Sequence, residues 1–374
     1  MKKLLAILLV CAMVFVLGAC GQDSGKKVDT SAFAVAMVTD YGDITDESFN
    51  QSTYEGCKAF CEENNIKFNY FKPPGDNTAE RVAMIDAAVA DGYNVIVCPG
   101  FAFAEALAQT IKTYPDVYFI ALDVSEFDIL SFTDEVTDNL FSAVYQEELC
   151  GFMAGYAAVA LGYKHLGYLG GMAVPSVVRF GNGYVQGADL AAKELGIDGV
   201  KIEYVYGNQF FGDADITSYM DTWYKGMGVE VVFACGGGIW TSAAEAAAKV
   251  GGKVIGVDVD QSKIIDVYGE GMTLTSAMKG LKATVNTLLT ELILNDNWAA
   301  YGGKVETMGL VSGTDVESNY VQIPYETTLW GEGFTQEDYV KLVDRMFKGE
   351  IKVDGSQDMV TPANLVLNTY ENIK

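Results

Sequence analysis

One histidine, seven prolines and half as many basic as acidic side chains exclude several functions before any motif is considered. His165 stands alone and there is no Cys-x-x-Cys pair, so a zinc centre has no ligand set. His165 also opens an apolar run instead of closing one, the wrong end of a strand for a catalytic base. No Gly-x-Ser-x-Gly elbow and no Gly-x-x-x-x-Gly-Lys-[Ser/Thr] loop occurs, which removes the commonest serine-hydrolase and phosphate-cradle signatures. With 25 Lys and Arg against 50 Asp and Glu, the formal charge is −25. Such a surface repels phosphate backbones and anionic head groups, so nucleic acid is not expected as a partner. The acidity reads as a solvated surface. Few prolines and 40 glycines suit many tight turns from strand to helix.

Membrane-spanning runs are missing too. The stretch Leu4 to Gly18, behind a basic "MKK", is too short to cross a bilayer comfortably and has the form of a signal-peptide core. It ends in "LGAC", where Gly18 and Ala19 before Cys20 resemble a bacterial lipobox. Residues 1–19 are therefore expected to leave as a lipoprotein signal peptide, with 20–32 a lipidated Cys20 and flexible tether. Two hydrophobic signals on one cysteine give lasting attachment. The expected location is the extracytoplasmic face of a bacterial cell membrane, anchored but not spanning. Beyond Cys11 and Cys20 there remain Cys57, Cys61, Cys98, Cys150 and Cys235, an odd number that excludes a full disulfide framework. Cys57 and Cys61, one helical turn apart, leave a redox pair open. Both share the apolar face of Phe60 and read as packed thiols.

The length, 374 residues, favours two lobes over one. Short apolar strands at 33–39, 66–71, 94–98 and 117–123 alternate with helices near 48–64, 79–91 and 102–113. The pattern restarts with strands at 165–171, 200–206, 230–235 and 253–258 around helices near 179–195, 216–226 and 240–250. Runs apolar on both faces suit strands buried in parallel sheets, and two such series imply two similar open α/β lobes. Between and after them lie "NLFSAVY" (139–145), a helix at 146–161, "MTLTSAM" (272–278) and an amphipathic helix at 281–296. Further strands are expected at 305–311 and 319–323 and a helix near 335–348. If the 281–296 helix returns to the first lobe, the chain crosses the waist three times, which favours clamshell closure. The expected division is 31–162 plus 277–297 for the first lobe and 163–276 plus 298–374 for the second.

Ligands of open α/β sheets lie beyond the carboxyl ends of the strands. Those ends here carry Asp40 and the "VTDYGDITDESFNQSTYEG" loop, Gly100 to Phe103, Asp123, the Gly170–Gly171 turn followed by Phe180, "GGG" at 236–238, and Asp258. Singly, Phe49 and Phe180 pass as staple or core residues and Asp46 as a helix cap. Recurring at one topological level in both halves, they describe a lined cleft. "GGGIW" is Gly-rich before a helix, yet no Lys or Arg beside it suits a phosphate. A paired-carboxylate mechanism using Asp40, Asp46, Asp123 or Asp258 stays open, though no spacing pairs them. Phenyl rings, carboxylates, amides and glycine backbone together suit a neutral, planar, hydroxylated ligand.

The opening loop, "ALD" at 121–123, "GGMAVPSVVRFGNGYVQGA" (170–188), "GVDVDQ" (256–261) and "SAMKG" (276–280), in that order, resemble the basic membrane protein (Bmp) family of bacterial lipoproteins. The resemblance runs over about residues 33–320 and is to the branch that holds purine nucleosides for an ABC transporter. It implies a type I periplasmic-binding-protein fold, two open parallel-sheet α/β lobes joined by a three-crossover hinge. It also implies site roles. Phe49 and Phe180 would stack on the two faces of the base, Asp123 would meet its N–H edge, and Asn50 would read another ring atom. Asp258, the backbone of Gly236 and Gly237, and Lys279 would hold ribose hydroxyls, with Asp40 and Asp46 shaping the entry. "YGDITDE" stands where many members have a Gly-rich turn, which leaves the base preference open.

The function expected is that of a monomeric solute-binding lipoprotein with no enzymatic activity and no cofactor or metal. It would carry a nucleoside such as guanosine, inosine or adenosine to an ABC permease and ATPase, touching the membrane through its lipid alone. The same fold holding riboflavin or a sugar is the nearest alternative. A secreted nucleoside hydrolase is the alternative from another class.

Overall fold

The computed structural model describes residues 29–40 and 42–374; the expected signal peptide and the lipidation site Cys20 lie outside the described residues. The first series runs β1 (Ala34–Val38), α1 (Phe49–Asn64), β2 (Lys67–Phe71), α2 (Thr78–Ala90), β3 (Val95–Pro99), α3 (Ala104–Thr110), β4 (Tyr118–Leu122), α4 (Glu126–Leu130) and β5 (Leu140–Tyr145). The second begins with α5 (Glu147–Ala160) and continues β6 (His165–Gly170), α6 (Pro175–Leu195), β7 (Lys201–Tyr206), α7 (Ala214–Asp221) and β8 (Val231–Cys235). It ends with α8 (Trp240–Ala248), β9 (Lys253–Asp258), α9 (Ser262–Ile265) and β10 (Thr273–Lys279). Then come α10 (Leu281–Leu289), β11 (Lys304–Met308), β12 (Val321–Gln322), α11 (Gln336–Phe347) and β13 (Val366–Thr369).

Two sheets result. The first has the order β11-β5-β4-β3-β1-β2, the second β12-β10-β9-β8-β6-β7-β13. All pairs are parallel except β10 with β12. The run β2-β1-β3-β4-β5 of one lobe therefore repeats as β7-β6-β8-β9-β10 of the other. Central strands such as β1, β3 and β8 are buried at every residue, as continuous apolar runs require. The edge strand β2 departs from that expectation and is largely exposed, covered in part by Tyr54, whose ring lies 5.5 Å from those of Phe68 and Tyr70.

Among the described residues, three crossings join the lobes: at Gln146, at Gly280 and between β11 and β12. They are laced by backbone hydrogen bonds. Gln146 N donates to Met308 O (3.0 Å), Tyr320 N to Gly309 O (3.1 Å) and Gly280 N to Tyr320 O (2.7 Å). The lobe boundaries differ from the expected ones in two places. Helix α5, expected within 31–162 of the first lobe, packs on α6 and β10 of the second. Strand β11, expected in the second lobe from residue 298, pairs with β5 of the first. The chain thus crosses before α5, because α5 carries the surface that fits α6.

That surface is made of glycine. A Cβ at Gly151 or Gly155 would fall on the carbonyls of Phe180 or Tyr184, and one at Gly183 or Gly187 on those of Glu148 or Phe152. The two backbones touch where side chains would hold them apart, which brings the N-terminus of α5 beside the helix carrying Phe180. Gly183→Ala should therefore lower stability by about 1–3 kcal/mol or more through overpacking against backbone. Gly226→Ala, whose Cβ meets only Thr222 Cγ2 at 3.8 Å, should not. Urea unfolding of the two variants checks the contrast.

Candidate functional site

The loop between β1 and α1 is organised by one carboxylate. Asp46 Oδ1 accepts from Ser48 N (2.9 Å) and Gln51 N (3.0 Å), while Oδ2 accepts from Asn50 N (3.0 Å) and Asn50 Nδ2 (3.2 Å). Both oxygens are spent on the first turn of α1, whose N-cap Ser48 makes no side-chain cap of its own. Ser48 is thereby freed to point across the cleft. Its Oγ donates to Asp258 Oδ2 at 2.5 Å, and Gln261 Nε2 donates to Glu47 O at 2.9 Å. These bonds join the first lobe to the second.

Asp258 ends β9, and Asp123 follows β4, its counterpart in the repeated topology. Both adopt left-handed backbone, φ 64° and 61°, a conformation that costs a residue with a Cβ about 1–2 kcal/mol. Each turn aims a carboxylate into the space between the lobes. Asp123 Oδ2 meets Lys279 Nζ at 2.5 Å, and its Oδ1 is buried without a partner among the described residues. Lys279, the last residue of β10, also lies 3.0 Å from Glu147 Oε1. Glu147 Oε2 in turn accepts from Arg179 Nε at 2.6 Å. Above the ammonium lie the rings of Phe49 at 5.0 Å, Phe180 at 5.4 Å and Tyr145 at 5.4 Å.

The result is a cavity of about 420 Å³, in the usual range for a small-molecule site. All ten candidates line it: Asp40, Asp46, Phe49, Asn50, Asp123, Phe180, Gly236, Gly237, Asp258 and Lys279. Gly236 and Gly237, with φ of 137° and 50°, pass beneath Phe210, where a Cβ would strike its ring and carbonyl. Burial pushes the Asp40, Asp46 and Asp258 carboxyls up, against hydrogen bonds that favour the ionised form. It pushes Asp123 up to about 6 despite the Lys279 ammonium. Helix α6 begins at Pro175, earlier than the expected 179, so Phe180 sits past its first turn. His165 lies at the start of β6, 2.7 Å from Glu203, outside the cavity. Cys57 and Cys61 are buried free thiols, and burial raises Cys61 to about 12, so neither is poised as a thiolate.

Sequence reasoning missed Ser48, Phe210, Glu147, Arg179 and Gln261. Ser48 stands inside the opening motif and Arg179 beside Phe180, so both were visible as neighbours. Glu147 reads as an ordinary acidic residue of a helix's first turn, and nothing in "QEEL" marks it as buried.

The Bmp family model, described as ABC transporter substrate-binding protein PnrA-like, matches residues 33–323. The chain belongs to the Bmp family. It is 28% identical over 335 residues to the ABC transporter nucleoside-binding protein BmpA of Lactococcus lactis subsp. cremoris, covering 83% of this chain and 90% of that one. Basic membrane protein B of Borreliella burgdorferi is 27% identical, with 80% and 86% covered. An uncharacterized lipoprotein of Pyrococcus furiosus is 26% identical, with 93% and 86% covered. Among solved structures, an ABC transporter solute-binding protein from Aeropyrum pernix K1 aligns with a TM-score of 0.64 at 23% identity, covering 86% and 88%. Another from Conexibacter woesei aligns at 0.66 and 18%, covering 86% and 99%. This Bmp chain is thus an ABC transporter substrate-binding protein of the type I periplasmic-binding-protein fold, with a small-molecule ligand and a transporter as partners.

Next to Glu147, Glu148 is buried, and burial first, then the Glu147 charge, pushes its carboxyl up from 4.5 to about 7. The folded state therefore takes up this proton before the unfolded state does, so the group favours folding as pH falls from about 7 towards 4.5 and opposes it above. Glu148→Gln should remove that dependence and stabilise the protein by about 1–3 kcal/mol near pH 8 relative to pH 5. Paired urea titrations at the two pH values measure it.

Proposed function

We propose that this Bmp protein captures a purine nucleoside, such as inosine, guanosine or adenosine, between its lobes and presents the closed form to an ABC permease and ATPase. The observation that carries the reading is the convergence of two phenyl rings, Phe49 from one lobe and Phe180 from the other, on one point of a cavity whose unpartnered buried polar atoms are acceptors. A flat heterocycle stacks between such rings. Asn50 Oδ1, buried without a partner among the described residues, and Asp40 then face the ring's N–H edge.

Asp123 is better placed at the hydroxyl end than at the base edge implied by the family resemblance, because Lys279 already holds one of its oxygens. Its free oxygen, the Lys279 ammonium, Asp258 and the Gly236–Gly237 backbone offer acceptors and donors together. A ribose diol, which donates and accepts at each oxygen, matches that mixture. The name of the Lactococcus relative supports the same ligand class. The protein acts as a monomer held at the outer face of the cell membrane through Cys20, with no bond of the ligand made or broken and no cofactor. The naming of the Pyrococcus relative as a lipoprotein agrees with the anchor.

Titration calorimetry should show saturable binding of inosine, guanosine or adenosine and at least about tenfold weaker binding of the monophosphates, whose charge the acidic cavity opposes. Failure of all three nucleosides to bind would sink the reading, and so would chromatographic recovery of cleaved inosine. Phe180→Ala should cost about 1–3 kcal/mol of nucleoside affinity. Asp258→Ala should weaken nucleosides more than the corresponding free bases. Equal losses would remove Asp258 from the hydroxyl end.

A further inference from the structure

We propose that Glu147, held in place by Arg179, is a positioning residue that locks the Lys279 ammonium toward the ligand's hydroxyls; the proposal rests on the nucleoside reading. Glu147 is fully buried at the first position of α5, where solvent-exposed acidic residues ordinarily suffice to match the helix dipole. A carboxylate so deep needs a reason other than the helix end. Its two oxygens divide the work. One faces Lys279 Nζ at 3.0 Å and the other takes Arg179 Nε at 2.6 Å.

An ammonium has three N–H directions, tetrahedrally fixed. Asp123 takes one from the first lobe, and the Glu147 charge, 3.0 Å away in the second lobe, pulls the ammonium from a second side, which restricts where its remaining hydrogens point. Asp123 and Lys279 both line the cavity, so the restriction bears on the group a ligand would meet there. Without Glu147, the side chain is free to turn about its last bond and to follow Asp123 alone. Arg179 is the anchor of this arrangement. It precedes Phe180 on α6 and lies 4.0 Å from Glu148 as well, so Glu147 is tied to the helix that carries the stacking ring. Burial works against ionised Glu147, but Lys279 and Arg179 outweigh it and hold the carboxyl below its ordinary range. The pair therefore stays charged at neutral pH and the lock persists.

The test is calorimetry with inosine and with hypoxanthine on the wild type, Glu147→Gln, Lys279→Met and the double variant. Glu147→Gln should weaken inosine by about tenfold or more, the loss that accompanies a misaligned charge-assisted hydrogen bond, while hypoxanthine shifts by no more than about twofold. In the Lys279→Met background the same change should add nothing, because there is no ammonium left to position. Arg179→Gln, which keeps the Glu147 charge but removes its tether, should show the same selectivity for inosine loss at smaller size, and it decides the matter if Glu147→Gln gives no cooperative melt. Equal loss for inosine and base, additive effects in the double variant, or wild-type affinity in both single variants would overturn the proposal. A wild type that binds no nucleoside would instead overturn the reading on which it rests.

Discussion

An ammonium taken out of water must either give up its proton or be surrounded by acceptors. Lys279 is 6% exposed and follows the second course. Burial alone would lower its affinity for the proton, but Asp123, Glu147 and Asp258 together raise it, so the charge persists. Asp123 follows a strand of the first sheet, while Lys279 ends a strand of the second and Glu147 opens α5 of the second lobe, so this cluster exists only with the lobes together. Much of the rest of the architecture serves to bring its members to one place. The glycine seam between α5 and α6 lets the N-terminus of α5 reach Lys279, and the crossings at Gln146 and Gly280 stand immediately beside Glu147 and Lys279. In a buried cluster of this kind, the loss of one partner leaves an uncompensated charge, at a cost of about 3–5 kcal/mol.

The repeated topology adds a second constraint. Asp123 and Asp258 end equivalent strands in the two lobes and share a left-handed backbone that a residue with a Cβ adopts at a cost. Strain at matched positions on opposite walls of one cavity is a property of a site. Each turn directs its carboxylate across the cleft instead of along the sheet, where Lys279 receives one and Ser48 the other. Closure is therefore written into two pseudo-equivalent turns, and Asp46 supports it indirectly by relieving Ser48 of capping.

How far the sequence alone could go follows from what kind of signal each feature leaves. Strand and helix alternation was legible because buried parallel strands must be apolar along their whole length, and the strand ends pointed to every candidate except Lys279, which the family resemblance supplied, because ligands of such sheets gather there. The allegiance of α5 was not legible. A helix between two series looks the same whether the chain crosses before or after it, and only the fit of Gly151 and Gly155 against α6 decides. Glu147 was hidden for a related reason, since burial of a helix-start carboxylate depends on what packs over it. The start of α6 at Pro175 had a signal, proline at the first helical position, which the stronger apolar period farther on obscured. Strand β13 left only "LVLNT" in a polar tail, and it forms because β7 offers an open edge there.

The electrostatics of the cavity link binding to closure. Asp40, Asp43, Asp46, Asp123 and Asp258 line the cavity against Lys72 and Lys279, an excess of negative charge that burial makes costly, pushing the carboxyls of Asp40, Asp46, Asp123 and Asp258 up. An anionic ligand would deepen that excess. A neutral ligand rich in N–H and O–H groups relieves it, because donors to ionised oxygens replace the water that closure removes. Relief is available only where the carboxylates are buried, so such a ligand gains more from the closed arrangement than from an open one. That difference in affinity is the sole means by which a ligand shifts a conformational equilibrium. In this cleft, the same carboxylates that penalise closure in the absence of donors make it responsive to the donors a ligand brings.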